Sequence, residues 1–187
     1  MLFSRRFAVA ALAASALTFV ATPALAGPPF ICHAFELSGH TSLPWGTNAK
    51  AGWNNPDPAY DVQRLAADVT RLLTAELPVS ARMETLRRAT IYASRDKAIA
   101  DGLLKALEAR ATASPKDANA LFDAGFLTEA YRQASRVYAW DMLSGRSKEQ
   151  WTFRTAPNGD GAKLIDAAVA LNGPTAPAMK QARLLIH

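Results

Sequence analysis

The chain has 187 residues, 21 of them basic and 16 acidic, and it contains a single cysteine, Cys32. One cysteine excludes an intramolecular disulfide, so the fold must be held together by its hydrophobic core. The mild basic excess does not indicate a nucleic-acid-binding protein, and we expect no nucleic-acid partner.

Residues 1–26 are typical of a cleavable export signal. Arg5 and Arg6 provide the charged start, and an uncharged apolar stretch, 7–20, follows. This stretch is shorter than the roughly 20 residues that a membrane-spanning helix needs. Small residues precede a cleavage site after Ala26. We therefore expect an exported protein, periplasmic or secreted, with no transmembrane segment in its mature chain.

The export route is left open by the sequence. The segment Ser4–Phe7 resembles the twin-arginine signals that carry folded proteins across bacterial membranes. Ala8 stands where those signals usually have a large apolar residue, which favours the general secretory route. Removing 1–26 takes away two basic residues and leaves a formal charge of 19 − 16 = +3 on residues 27–187.

Residues 27–58 are predicted to form an ordered but irregular N-terminal arm. They include five prolines and four large aromatic residues, which are Phe30, Phe35, Trp45 and Trp53. Aromatic side chains bury about 150–250 Å² each, so we expect these rings to pack onto a helical body. A disordered tail is the alternative interpretation.

Residues 59–187 are predicted to form one all-α domain of five to six helices in antiparallel hairpins. The first helix is predicted to begin at Asp57-Pro58, with Asp57 as N-cap, and to end before Pro78. Helices are then expected at about 80–93 and 97–112.

A long helix is predicted to run from Ser114, as N-cap before Pro115, to about Leu143. Two shorter helices are expected at about 162–172 and 176–186. The segment Ser114–Gln133 is loosely similar to tetratricopeptide repeats, although no 34-residue period recurs. The similarity implies helix-hairpin packing, and Gly125 indicates a close helix approach or a bend.

Cys32, His33 and His40 are the candidate metal ligands. A thiolate and two imidazoles suit Zn²⁺ or copper, but a closed zinc site needs a fourth ligand. A c-type haem attachment needs a second cysteine. Cys32 as a nucleophile with His40 as its base is a weaker hypothesis. A buried structural thiol is the favoured interpretation, and we expect no cofactor.

Arg82, Arg87 and Arg88 belong to the densest basic patch, interpreted as a solvated helix face that Glu84 partly neutralises. As an interaction surface, these arginines would contact anionic polymers or lipid head groups of the envelope. Trp45 and Trp53, in the arm, would contact a partner.

The carboxylates of Asp123 and Glu129 lie on the long helix without a convergent histidine. Ion pairing of Glu129 with Arg132 or Arg136 is the favoured role. The sequence thus predicts a binding or scaffold protein without a catalytic site, whose partner is another envelope protein or a second copy. The alternative is a small-ligand, metal-binding or enzymatic protein with its site in the arm.

Overall fold

The computed structural model describes residues 29–47, 53–143, 157–171 and 173–186, without the side chains of 138–143. The predicted export signal, 1–26, lies outside these residues. Within them the chain forms six α-helices and no β-strand, so the all-α prediction is confirmed. The helices are α1 (Leu65–Leu72), α2 (Val79–Ala93), α3 (Lys97–Ala113), α4 (Ala118–Leu143), α5 (Gly161–Ala170) and α6 (Ala176–Arg183). None of them is both long enough and apolar enough to cross a membrane.

The first helix begins later than predicted. Asp57 is not its N-cap; the carboxylate of Asp57 instead accepts the Ala59 N–H at 2.9 Å and closes a short turn. The carboxylate of Asp61 caps a 3-10 turn, Val62–Arg64, that leads into α1. Two aspartates in this stretch could act as a cap. Asp61, the second of them, is the one that caps the turn leading into α1.

The prediction of Ser114 as the N-cap of the long helix is also wrong. Ser114 ends α3, donating its N–H to the Arg110 carbonyl at 3.0 Å. Asp117 caps α4 and accepts hydrogen bonds from the N–H groups of Asn119 and Ala120 at 2.9 and 3.2 Å. Serine and aspartate are both favoured N-cap residues. Here Asp117, three residues after Ser114, is the one that caps the helix.

Helix α4 lies at the centre of the fold, in contact with α2, α3 and α5. Every residue from 120 to 131 is buried, as expected of a helix enclosed on all sides. The described part of the arm adds aromatic rings to this core. Phe30 and Phe35 place their ring centroids 4.7 and 6.2 Å from that of Phe126.

Gly125 allows α5 to approach α4 closely. The sequence predicted either such a close helix approach or a bend at this glycine. A Cβ atom built on Gly125 would lie 2.6 Å from the carbonyl oxygen of Gly161, the first residue of α5. The two backbones therefore meet with no room for a side chain. The pairing of α4 with α5 depends on glycine at this point.

We expect Gly125→Ala to lower the free energy of unfolding by about 1–3 kcal/mol, because the methyl group meets backbone that cannot yield without moving a helix. Gly102→Ala, inside α3 and with nothing within 4 Å of its built Cβ, is the matched control. It should stabilise by up to about 1 kcal/mol. Urea unfolding of both variants measures this. Equal stability of Gly125→Ala and wild type would contradict the close approach.

Candidate functional site

The basic residues of α2 are buried, contrary to the prediction of a solvated helix face. Arg82 is 0% exposed, Arg87 is 1% exposed and Arg88 is partly buried. They are enclosed because the arm and α4 both pack against α2. Arg82 and Arg87 are therefore inaccessible to an anionic polymer, and each finds its partners inside the protein.

Glu84 is the acceptor at the centre of this buried polar group. Arg87 binds it with two parallel hydrogen bonds of 2.8 Å, and Arg88 donates from Nε at 2.7 Å. The backbone N–H of Phe35, in the arm, donates to the same carboxylate at 2.9 Å. Burial raises the pKa of Glu84, but the two arginines and this N–H outweigh it and hold the pKa below its ordinary value.

The two arginines also bind backbone carbonyls of the arm. Arg87 donates from Nη1 to the carbonyls of Ile31 and Trp53, both at 3.1 Å. Arg88 donates from Nη1 to the Leu43 carbonyl at 2.7 Å. The guanidinium groups thus join α2 to three separate points of the arm. We refer to Glu84, Arg87 and Arg88 as the arm clamp.

Tyr92, one turn further along α2, extends these contacts. The hydroxyl of Tyr92 donates to the Pro44 carbonyl at 2.7 Å and accepts from the Asp57 N–H at 2.9 Å. The ring of Trp45 packs edge-on against the Tyr92 ring, with centroids 6.0 Å apart. One face of α2 therefore binds the arm at Ile31, Leu43, Pro44, Trp53 and Asp57.

The two tryptophans predicted as interaction residues both belong to this arrangement. The indole of Trp45 lies over the guanidinium groups of Arg87 and Arg88, at 5.1 and 5.2 Å from its centroid, in cation–π geometry. Trp53 is partly buried and supplies a carbonyl to Arg87. Both residues have an internal structural role.

The candidate metal ligands are not assembled. His33 and His40 are exposed, and Cys32 is partly buried against the core. Among the described residues, no group of three or more histidine, cysteine or acidic side chains is placed to hold a metal ion. The predicted set of Cys32, His33 and His40 is therefore not brought together as a metal site.

A second buried ion pair joins α2 to α4. Arg82 donates to Asp123 at 2.7 Å, and both side chains are fully buried. Arg110 of α3 also contacts Asp123, at 3.3 Å, and Arg82 donates to the Thr74 carbonyl at 2.5 Å. The sequence signal for this pair was an acid inside an otherwise apolar helical stretch, which needs a buried cation.

Complete burial raises the pKa of Asp123 to about 6, although Arg82 and Arg110 lower it. The nearby charge of Asp117 acts in the same direction as burial. Glu129, the other acid on α4, is also buried and lies 3.5 Å from Arg132, so its predicted pairing is confirmed. The carboxylate of Glu129 also accepts the N–H of Ala162 in the first turn of α5, at 3.2 Å.

A groove of about 700 Å³ lies between the arm, the turn before α1 and the end of α2. We call it the arm groove. It includes none of the predicted metal ligands and neither predicted tryptophan. Its lining residues are Gly46, Thr47, Asn54, Asn55, Pro56, Asp57, Pro58, Tyr60, Val62, Ile91, Tyr92, Arg95 and Asp96.

The polar side chains of the arm groove are only partly engaged. One oxygen of Asp57 closes the turn at Ala59, and one oxygen of Asp96 caps α3. The second oxygen of each carboxylate accepts no hydrogen bond from the described residues. Arg95 and Asn54 are exposed and form no hydrogen bond within the same part of the chain. The groove thus offers free donors and acceptors.

No protein-family model, curated protein or solved structure matches this chain. The local similarity of Ser114–Gln133 to tetratricopeptide repeats therefore gains no support from a family model. Any functional conclusion must come from the geometry of the site itself.

We expect Glu84→Gln to destabilise the protein by about 3 kcal/mol or more, because it leaves two arginine charges without their carboxylate. The arm should also become sensitive to limited proteolysis. Asp101→Asn is the control, since it removes only the exposed pair of Asp101 with Lys97. The control should change stability by less than about 0.5 kcal/mol. Unchanged protease resistance of the arm in Glu84→Gln would refute the clamp.

The raised pKa of Asp123 gives a stability change with a defined sign. Between its ordinary pKa of 3.8 and the folded value of about 6, the folded state binds this proton more tightly than the unfolded state. The contribution of Asp123 to the free energy of unfolding is therefore present below about pH 4 and is lost as pH rises to about 6.

Subtracting the stability of Asp123→Asn from that of wild type isolates this contribution. The difference should fall by on the order of 2–3 kcal/mol between about pH 4 and pH 7. The lowered pKa of Glu84 makes the free energy of unfolding decrease as pH falls. This effect is the same in both proteins, so it cancels in the difference. Urea unfolding across this range is the measurement. A difference that stays constant or rises with pH would contradict the raised pKa.

Proposed function

We propose that the protein is an exported, non-catalytic binding protein that holds a small ligand in the arm groove. The observation that carries this proposal is the groove itself, with its unengaged polar groups between the arm and the helices. Ligand pockets typically have volumes of about 300–1,000 Å³, with aromatic walls and a few polar groups. The arm groove matches this description.

The arm clamp supports a binding role because it orders one wall of the groove in advance. Trp53 and Asp57, which flank the lining residues 54–56 in the chain, are tied to α2 through Arg87 and Tyr92. When the groove is already ordered, ligand binding does not lose the conformational entropy that ordering the surrounding chain would cost. The buried charges of the clamp thus prepare the groove without lying in it.

Binding is favoured over catalysis by the positions of the reactive groups. Cys32, His33 and His40 lie outside the groove lining. The two carboxylates in the lining, Asp57 and Asp96, also close a turn and cap a helix. No described residue of the groove lining is a histidine that could form an acid–base pair with either carboxylate, and this favours binding over proton transfer.

A scaffold role, with another envelope protein or a second copy as partner, is the second candidate. It is favoured by exposed leucines at the ends of α5 and α6. Leu184 is 61% exposed, and Leu171 and Leu185 are also exposed. Large exposed apolar side chains are common at association surfaces when they cluster. In this alternative the arm groove would have no ligand of its own.

The test is a thermal-shift screen of a chemically diverse set of small molecules, using protein purified from the exported fraction. Its intact mass should correspond to residues 27–187 if the export signal is cleaved after Ala26. At least one compound should stabilise the wild type. That effect should disappear in Asn54→Trp, which fills the groove from an exposed lining position, and persist in Lys105→Trp on the exposed side of α3.

If no compound of any class stabilises the protein, or if Asn54→Trp responds like wild type, the ligand-binding proposal fails. A stable dimer in native mass spectrometry together with such a failure would favour the scaffold role. A full-length mass in the exported fraction would contradict cleavage of the signal while leaving the groove unaffected.

A further inference from the structure

The arm groove carries charges of both signs in one small space. Asp57 and Asp96 contribute two negative charges, and the exposed guanidinium of Arg95 contributes one positive charge. An anionic ligand would meet two carboxylates, and a cationic ligand would meet the arginine. Because like charges repel at short range in either case, the lining is best matched by a ligand without net charge.

The hydrogen-bond donors and acceptors in the lining restrict the class of ligand further. The carboxylates of Asp57 and Asp96 can only accept, the guanidinium of Arg95 can only donate, and the amide of Asn54 does both. A hydroxyl group both donates and accepts, so neighbouring hydroxyls on one ligand can satisfy all of these groups. Ethers without hydroxyls would leave the two carboxylates unsatisfied, because an ether oxygen donates no hydrogen bond.

The remaining lining residues offer apolar surface. The ring of Tyr60 packs against that of Tyr92 with centroids 4.6 Å apart, and its hydroxyl is occupied by Asp68 at 3.0 Å. Tyr60 therefore presents its ring, beside Val62 and the prolines at 56 and 58, rather than a free hydroxyl. Such a wall suits the C–H face of a sugar ring, which is apolar. A rigid aromatic ring can cover that face with a large apolar area.

We infer that the arm groove binds a neutral oligosaccharide. This rests on the proposed ligand-binding function and adds the chemical class of the ligand. The hydroxyls of the saccharide bind Asp57, Asp96, Arg95 and Asn54, and its C–H face packs on Tyr60. The volume of about 700 Å³ accommodates more than a single sugar ring.

The experiment compares trisaccharides of similar size and different charge by isothermal titration calorimetry. The neutral probes are the trimers of glucose, of mannose and of N-acetylglucosamine. Deacetylated chitotriose is the cationic probe, and trigalacturonate is the anionic one. We expect at least one neutral trimer to bind the wild type more tightly than either charged trimer.

Asp96→Asn is the diagnostic variant. Asparagine keeps the cap on α3, because it is as good an N-cap as aspartate, but it removes the acceptor-only carboxylate from the groove. We expect it to weaken binding of the neutral trimer about two- to tenfold. Asp160→Asn, which changes the cap of α5 in the same way outside the groove lining, should leave the affinity unchanged. Arg95→Gln provides a second groove variant that leaves every cap in place.

Tighter binding of a charged trimer overturns the inference, as does neutral binding that neither Asp96→Asn nor Arg95→Gln weakens. Failure of all trimers to bind also overturns it. The diverse-compound screen separates the two levels of failure. If other compounds stabilise the wild type but not Asn54→Trp, the ligand-binding function stands and only the saccharide class is wrong.

Discussion

The course of the N-terminal arm depends on one buried carboxylate. Glu84 holds Arg87 and Arg88 in place, and these two arginines bind arm carbonyls at Ile31, Leu43 and Trp53. Irregular chain normally lies on the surface because its backbone polar groups need partners. Here side chains of α2 supply those partners. The described arm residues, whose regular structure is limited to the 3-10 turn Phe30–Cys32 and the bridge pair Trp45 and Pro56, can therefore contribute to the core. The groove-lining residues Gly46 and Thr47 lie in the chain between two of these attachment points, Leu43 and Trp53.

The buried charges have a cost as well as a role. Removing charged groups from water is expensive, and a hydrophobic replacement of similar volume is often as stable or more stable. The two ion-pair groups on α2 therefore contribute more to the choice of structure than to its stability. Glu84 selects one path for the arm, and the pair of Arg82 with Asp123 selects one alignment of α2 on α4.

Local patterns predicted five to six helices and the pairing of Glu129 with Arg132, but not the partners of the buried charges on α2. The apolar spacing in α2 and α3 and the glycine at 125 were readable from sequence. The capping residues were misassigned at Asp57 and Ser114, because another capping residue, Asp61 or Asp117, follows each of them within four positions. Charged residues three and four apart normally indicate a solvated helix face, and only the tertiary fold reveals that the arm covers it. The groove unites residues about 50 positions apart, which no local pattern can encode.

The hydrogen bonds between the arm clamp and the described arm residues go to backbone atoms, and Trp45 adds a ring contact. Every residue type presents a carbonyl, and every type except proline presents an N–H, so the exposed arm positions can change without loosening these hydrogen bonds. Divergent relatives would then show a variable N-terminal stretch beside a Glu-x-x-Arg-Arg signature in the adjoining helix. We expect that five-residue spacing, rather than overall similarity, to identify distant proteins that hold an irregular arm in the same way.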